Sequence, residues 1–99
     1  MLIVTGTLAA RADTLDALRR LSLEHVARSL TEPGCLEHGV AVDANDGLSL
    51  VFFERWVDRA ALDVHFRVAA SRAFAAQVAT LVAHPPTLHV YEASELSLR

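Results

Sequence analysis

Residues 48–56, LSLVFFERW, carry apolar side chains on both parities: Leu48, Leu50 and Phe52 on one, Val51 and Phe53 on the other. Successive side chains of a strand leave opposite faces of the sheet, so a strand of this kind needs cover on both sides. The chain has 99 residues, enough for a single domain over 1–99 that buries roughly 65% of its unfolded surface. Helices can cover one face of such a sheet. The simplest cover for the other is the same face of a second copy, sheet against sheet across a two-fold axis. Composition agrees: 53% of the residues are hydrophobic, above the roughly 45–50% of ordinary domains, and the mean hydropathy is positive. A homodimer is therefore expected.

Residues 2–9, LIVTGTLA, are short and β-branched and predict the first strand. Asp13 or Thr14 can cap a following helix by accepting from an orphan backbone N–H. At about 100° per residue, Leu15, Leu18, Ser22, His25, Val26 and Ser29 share one helix face, and Pro33–Gly34 stop the helix. CLEHGVAVD and LSLVFFERW read as a hairpin around ANDG, whose Asn45, Asp46 and Gly47 tolerate positive φ. Asp58 caps a short helix through His65. A further helix starts near Ser71 with Phe74, Val78, Leu81 and Val82 on one face, and HPP ends it. TLHVYEA is the last strand, and SELSLR continues it or crosses to a partner. The order β, α, β, β, α, α, β predicts an α+β fold with an antiparallel sheet, the ferredoxin-like split βαβ arrangement.

Several functions are disfavoured. The formal charge is −3, and the nine basic residues, all Arg, are scattered among acids, so no nucleic-acid surface is expected. Cys35 is alone and can form no intrachain disulfide, which suits a reducing compartment. MLIV is broken by TGT, so no signal peptide is expected, and no apolar run approaches a membrane span. A cytoplasmic protein that uses neither membrane nor nucleic acid is the expectation. His25, His38, His65, His84 and His89 show no HxxxH or HxH spacing, so no metal site is predicted.

The candidates for chemistry lie around ERWVDRAALDVHF. Glu54 and Trp56 share a strand parity with Phe52, which sets a carboxylate on an apolar wall. Burial would raise its pKa and let it move protons near neutral pH; the alternative is a structural carboxylate paired with an Arg or a backbone N–H. His65, within a turn of Leu62 and Phe66, either lines a cavity as base or donor, or binds a backbone carbonyl at its helix end. His25, with Ser22 and Ser29, either marks a polar spot in a pocket or is a satisfied core histidine. Cys35 has no adjacent cation to lower its pKa and reads as a small hydrophobe.

The stretch EPGCLEHGVAVDANDGLSLVFFERWVDRAALDVH resembles the core of the antibiotic biosynthesis monooxygenase domain. The matching positions are Glu32, Pro33, Gly34, Cys35, Glu54, Trp56, Asp58 and His65. The resemblance implies a dimeric α+β barrel with a pocket between sheet and helices in each protomer. It also implies, in some members, oxidation of quinols or anthrone-like polycycles by O2 with no cofactor, neither metal nor flavin. On that likeness His65 or Glu54 takes a proton and Trp56 contributes as a wall of the pocket, while Phe52, Leu62, His25 and Ser29 contact a small-molecule substrate. Departures are visible: Phe52, Leu62 and Ala76 replace residues of the anthrone-oxidising members, and the residues that haem-degrading relatives use are absent. Two other readings share the fold, an isomerase of a small phosphorylated hydroxyketone and a non-catalytic ligand-binding dimer. The first would need cations in the pocket, with Arg28, Arg67 and Arg72 as candidates.

Overall fold

The computed structural model of the chain describes residues 1–98; Arg99 lies outside them. The elements are β1 (Leu2–Ala9), α1 (Leu15–Ser29), β2 (Cys35–Asp43), β3 (Asp46–Trp56), α2 (Arg59–Arg67), α3 (Ala69–Leu81) and β4 (Thr87–Glu92). They form one antiparallel sheet in the order β2-β3-β1-β4. This is the ferredoxin-like α+β fold that the element order predicts. Among the described residues no helix is long and apolar enough to cross a membrane.

The three helices pack on one face. Leu2, Val4 and Leu8 of β1 point beneath them, as do Leu50, Phe52, Glu54 and Trp56 of β3, and all are buried. The apolar core there is in two parts. Leu8, Leu18, Leu50, Phe52 and Val78 make one, and Leu2, Val4, Trp56 and Leu62 the other. On β3, Glu54 falls between Phe52 of the first and Trp56 of the second. Among the described residues the opposite face has no helix over it, and Val51, Phe53 and Tyr91 stand exposed there.

Three local expectations change. Thr14 is the residue before α1, yet its hydroxyl caps no helix N–H; it accepts from the Arg11 amide (3.0 Å) and donates to the Leu81 carbonyl (2.7 Å), tying the start of α1 to the end of α3. The hairpin turns where ANDG places it, but no residue of that turn has positive φ. Instead the Asp43 carboxylate accepts from the Asn45 amide (2.9 Å) and Asp46 from Leu48 (3.1 Å), a side-chain route to the same reversal. Asp58 caps α2 as expected, accepting from the Ala61 amide at 2.9 Å. α3 begins two residues earlier than the sequence suggests, because extended Val68 alone separates it from α2.

Gly34 is where positive φ is needed, at +83°. Its carbonyl accepts from the Val57 amide at 2.8 Å, which brings the EPG turn onto the end of β3. A Cβ there would lie 2.6 Å from the Ala61 Cβ and 2.8 Å from a Val57 methyl. Gly34→Ala should therefore lose about 2–5 kcal/mol, combining left-handed backbone strain with overpacking. Urea denaturation checks this, and an unchanged midpoint would mean that the turn relaxes freely.

Candidate functional site

A cavity of about 240 Å³ opens between the helices and the β3-β1-β4 part of the sheet. Its wall is mostly apolar, with Phe52, Phe74 and Val78 inside and the exposed Phe66 and Leu88 at its mouth. The polar side chains that reach it include His25 from α1, Glu54 from β3, His65 from α2 and Ser71 from α3, all buried. An apolar cavity with a few convergent polar groups is the usual form of a small-molecule site.

His65 is held from behind by Glu32. Its Nδ1 lies 2.7 Å from the Glu32 Oε1, and the His65 side chain is 3% exposed. A carboxylate accepts, so Nδ1 carries a proton, and in the neutral ring that leaves the Nε2 lone pair free. The Asp58 cap sets the rotation of α2, and Gly34 sets the EPG turn that carries Glu32. Sequence and local structure thus converge on one couple. The Trp56 indole lies against the His65 ring, with centroids 4.6 Å apart.

Glu54 accepts from the Trp56 Nε1–H at 2.9 Å, and His38 Nε2 stands 3.2 Å from its Oε1. From the sequence, burial is expected to raise this carboxyl. Burial does push it up, but attraction to His38, the Trp56 N–H and His65 together outweigh it, and the pKa is lowered. Glu54 is therefore an ionised acceptor and not a protonated acid. Burial, with Glu54 and Glu32 nearby, pushes the Cys35 thiol up, which leaves it a poor nucleophile.

His25 lies flat on Phe74, with centroids 3.9 Å apart and planes within 8°. Burial lowers its pKa from 6.5 to about 3, assisted by His38, His65 and Arg28, whose guanidinium lies against His25 Nδ1. Between those two values the unfolded chain binds a proton that the folded chain does not. Stability from this group is thus complete above about pH 6.5 and drains as pH falls toward 3. In chelator-treated protein we expect up to about 2 kcal/mol to be lost by about pH 5. Denaturation at pH 7 and pH 5 for wild type and His25→Phe tests it, since the variant should lack that part of the slope.

The structure brings His25, Glu54, His65 and Phe52 together at the cavity. Trp56, Leu62 and Ser29 lie elsewhere. Trp56 is fully buried behind Glu54, Leu62 packs with it, and the Ser29 hydroxyl donates to the His25 carbonyl at 2.6 Å. All three are packed in the core beside the cavity and not on its wall. Sequence reasoning missed two residues, Glu32 and His38. Glu32 was visible within the EPG turn, but nothing local says that it reaches a helix 33 positions on. Of the three candidate cations, Arg28 reaches the His25 and Ser71 side chains, whereas Arg67 and Arg72 are exposed.

The comparisons agree with this geometry. The model of the antibiotic biosynthesis monooxygenase family matches residues 1–77. An uncharacterised protein of Synechocystis sp. is 31% identical over 94 residues, 95% of this chain; the chain spans 64% of that relative's length. Among solved structures, Rv0793 of Mycobacterium tuberculosis superposes with a TM-score of 0.90 at 29% identity, over 97% of both chains. A Deinococcus radiodurans protein grouped with the antibiotic biosynthesis monooxygenases does so with a TM-score of 0.94 at 26% identity, over 98% of this chain and 96% of that one. With the family match running through β1, α1, the hairpin, α2 and most of α3, the chain belongs to the antibiotic biosynthesis monooxygenase family.

Proposed function

We propose that the chain is a cofactor-independent monooxygenase that oxidises a small, flat, electron-rich aromatic of quinol type with O2. The observation that carries this is the His65–Glu32 couple, whose free Nε2 belongs to a residue lining an apolar cavity. His65 takes the phenolic proton: the O–H bond breaks, an N–H bond forms, and Glu32 balances the imidazolium. The substrate anion then supplies the electrons that reduce oxygen. One oxygen atom enters the product and the other leaves as water.

Phe52 and Phe74 offer aromatic faces for the ring, and the apolar wall keeps water from the anion. Glu54, already ionised, holds the neighbouring positive charge and is the second candidate to accept the proton; Trp56 orients it. The cavity is smaller than the roughly 300–1,000 Å³ of drug-sized sites, which favours one or two rings over a large polycycle. Among the described residues no Arg lines the cavity, which tells against a phosphorylated substrate. The working unit is a homodimer joined through the open sheet face, in the cytoplasm. Oxygen uptake over a panel of quinols and anthrone-like compounds, with metal chelated and autoxidation subtracted, is the test. No uptake across the panel would discard the oxygenase reading in favour of a binding dimer.

A further inference from the structure

His38 has no place in that reaction, and its surroundings are unusual. Its side chain is fully buried, and neither ring nitrogen makes a hydrogen bond. The Glu54 carboxylate is near, at 3.2 Å, but the ring is misdirected for an N–H to point at it. Nδ1 thus has no partner and Nε2 only a poorly aimed carboxylate, and a buried imidazole so placed is costly.

The ring has two neighbours of its own kind. His25 from α1, His38 from β2 and His65 from α2 each present a nitrogen, and these three atoms lie within 4.8 Å of one another. The ring centroids are 5.3 Å apart for His25–His38, 5.2 Å for His25–His65 and 5.7 Å for His38–His65. Imidazoles bound to one ion at about 2.0–2.1 Å in tetrahedral directions have nitrogens roughly 3.4 Å apart and centroids roughly 5 Å apart. Modest side-chain rotation closes that difference. We propose that His25, His38 and His65 form a binding site for one divalent transition-metal ion of the zinc and cobalt type.

The supporting groups fit such an ion. Glu32 accepts from His65 Nδ1–H, the carboxylate partner that usually orients a metal-bound histidine and leaves Nε2 to the ion. Glu54 places a second carboxylate beside His38, so two negative charges face the charge of the ion. Three imidazoles without thiolates suit zinc, cobalt, copper, nickel or iron and not magnesium or calcium.

One feature opposes binding. The Arg28 guanidinium lies against His25 Nδ1 and must turn away before that ring can ligate freely. Its other side-chain contact, with the Ser71 hydroxyl, is long at 3.4 Å, and its residue is half-buried, so an outward swing is open to it. Arg28 therefore sets the affinity, and removing it should tighten binding.

The consequence for catalysis rests on the oxygenase reading: an ion on His65 Nε2 occupies the lone pair that takes the proton, so it should inhibit oxygen uptake. Binding itself is tested without turnover. Chelator-stripped protein is titrated with Co²⁺ and followed by the visible absorption of tetrahedral cobalt, with Zn²⁺ as competitor. We expect one ion per chain and a raised Tm in zinc. His38→Ala and, separately, His25→Gln should weaken binding by at least about 100-fold, more than loss of a supporting partner usually does. His84→Ala, in the exposed segment between α3 and β4, should change nothing, and Arg28→Ala should bind about tenfold tighter or better, judged against the same scale. Absence of the cobalt spectrum in wild type overturns the site, as does undiminished binding in both histidine variants. Cobalt binding in a protein that consumes no oxygen would keep the site and remove the oxygenase.

Discussion

Replacing His65 by Ala is expected to lower turnover of a quinol-type substrate by about 10²–10⁴-fold, the usual worth of a positioned general base. The loss should fall on kcat and spare KM, because Phe52 and Phe74, which would hold the ring, are untouched. The physical reason is that Glu54, the other proton acceptor at the cavity, has its lowered pKa against it. A carboxylate with a lowered pKa is a weaker base than the imidazole, so it replaces it poorly. Glu32→Gln should also reduce kcat, by less, since Gln can still hold the Nδ1–H but cannot balance the imidazolium. Oxygen consumption by the purified variants, beside circular dichroism to confirm folding, decides it. Activity in His65→Ala equal to wild type would remove this residue from the mechanism.

The fold was legible from the chain because its punctuation is local. Pro33–Gly34, the ANDG turn and HPP each act on their own neighbours, and the apolar periodicities between them set the element types. His65, Glu54 and Phe52 were legible too, since strand and helix parity point them inward. His38 was not, for a reason that lies in the hairpin. Asp43 pairs with Asp46, and counting back evenly from that pair sets His38 opposite Val51, on the open face. The register in fact shifts between Val42 and Asp43, so that His38 lies opposite Glu54 beneath the helices. An odd shift turns every upstream side chain to the other face, and no residue type in GVAVD announces it. The three histidines likewise come from positions far apart in sequence, and only the packed fold makes them neighbours.

Phe53→Glu is expected to convert the protein from dimer to monomer. Phe53 has the opposite parity to Glu54 and stands 40% exposed on the open face, beside Val51 at 37% and Tyr91 at 53%. Sheet-to-sheet association would bury these side chains, and a stable interface needs about 800 Å² per partner. Two-fold symmetry then sets two introduced carboxylates into one apolar layer. An unpaired buried charge costs about 3–5 kcal/mol, and two of them should weaken association by on the order of 10³-fold or more. Sedimentation at micromolar concentration should show twice 10.7 kDa for wild type and 10.7 kDa for the variant. A wild type that sediments as a monomer would instead leave that apolar face bare in water and remove the homodimer. The same variant answers a second question, because Phe53 points to the sheet face opposite the cavity. A monomer that still consumes oxygen would show that each protomer carries a complete site and that dimerisation serves stability. A monomer that folds but is inactive would place part of the site, or the rigidity it needs, in the contact between sheets.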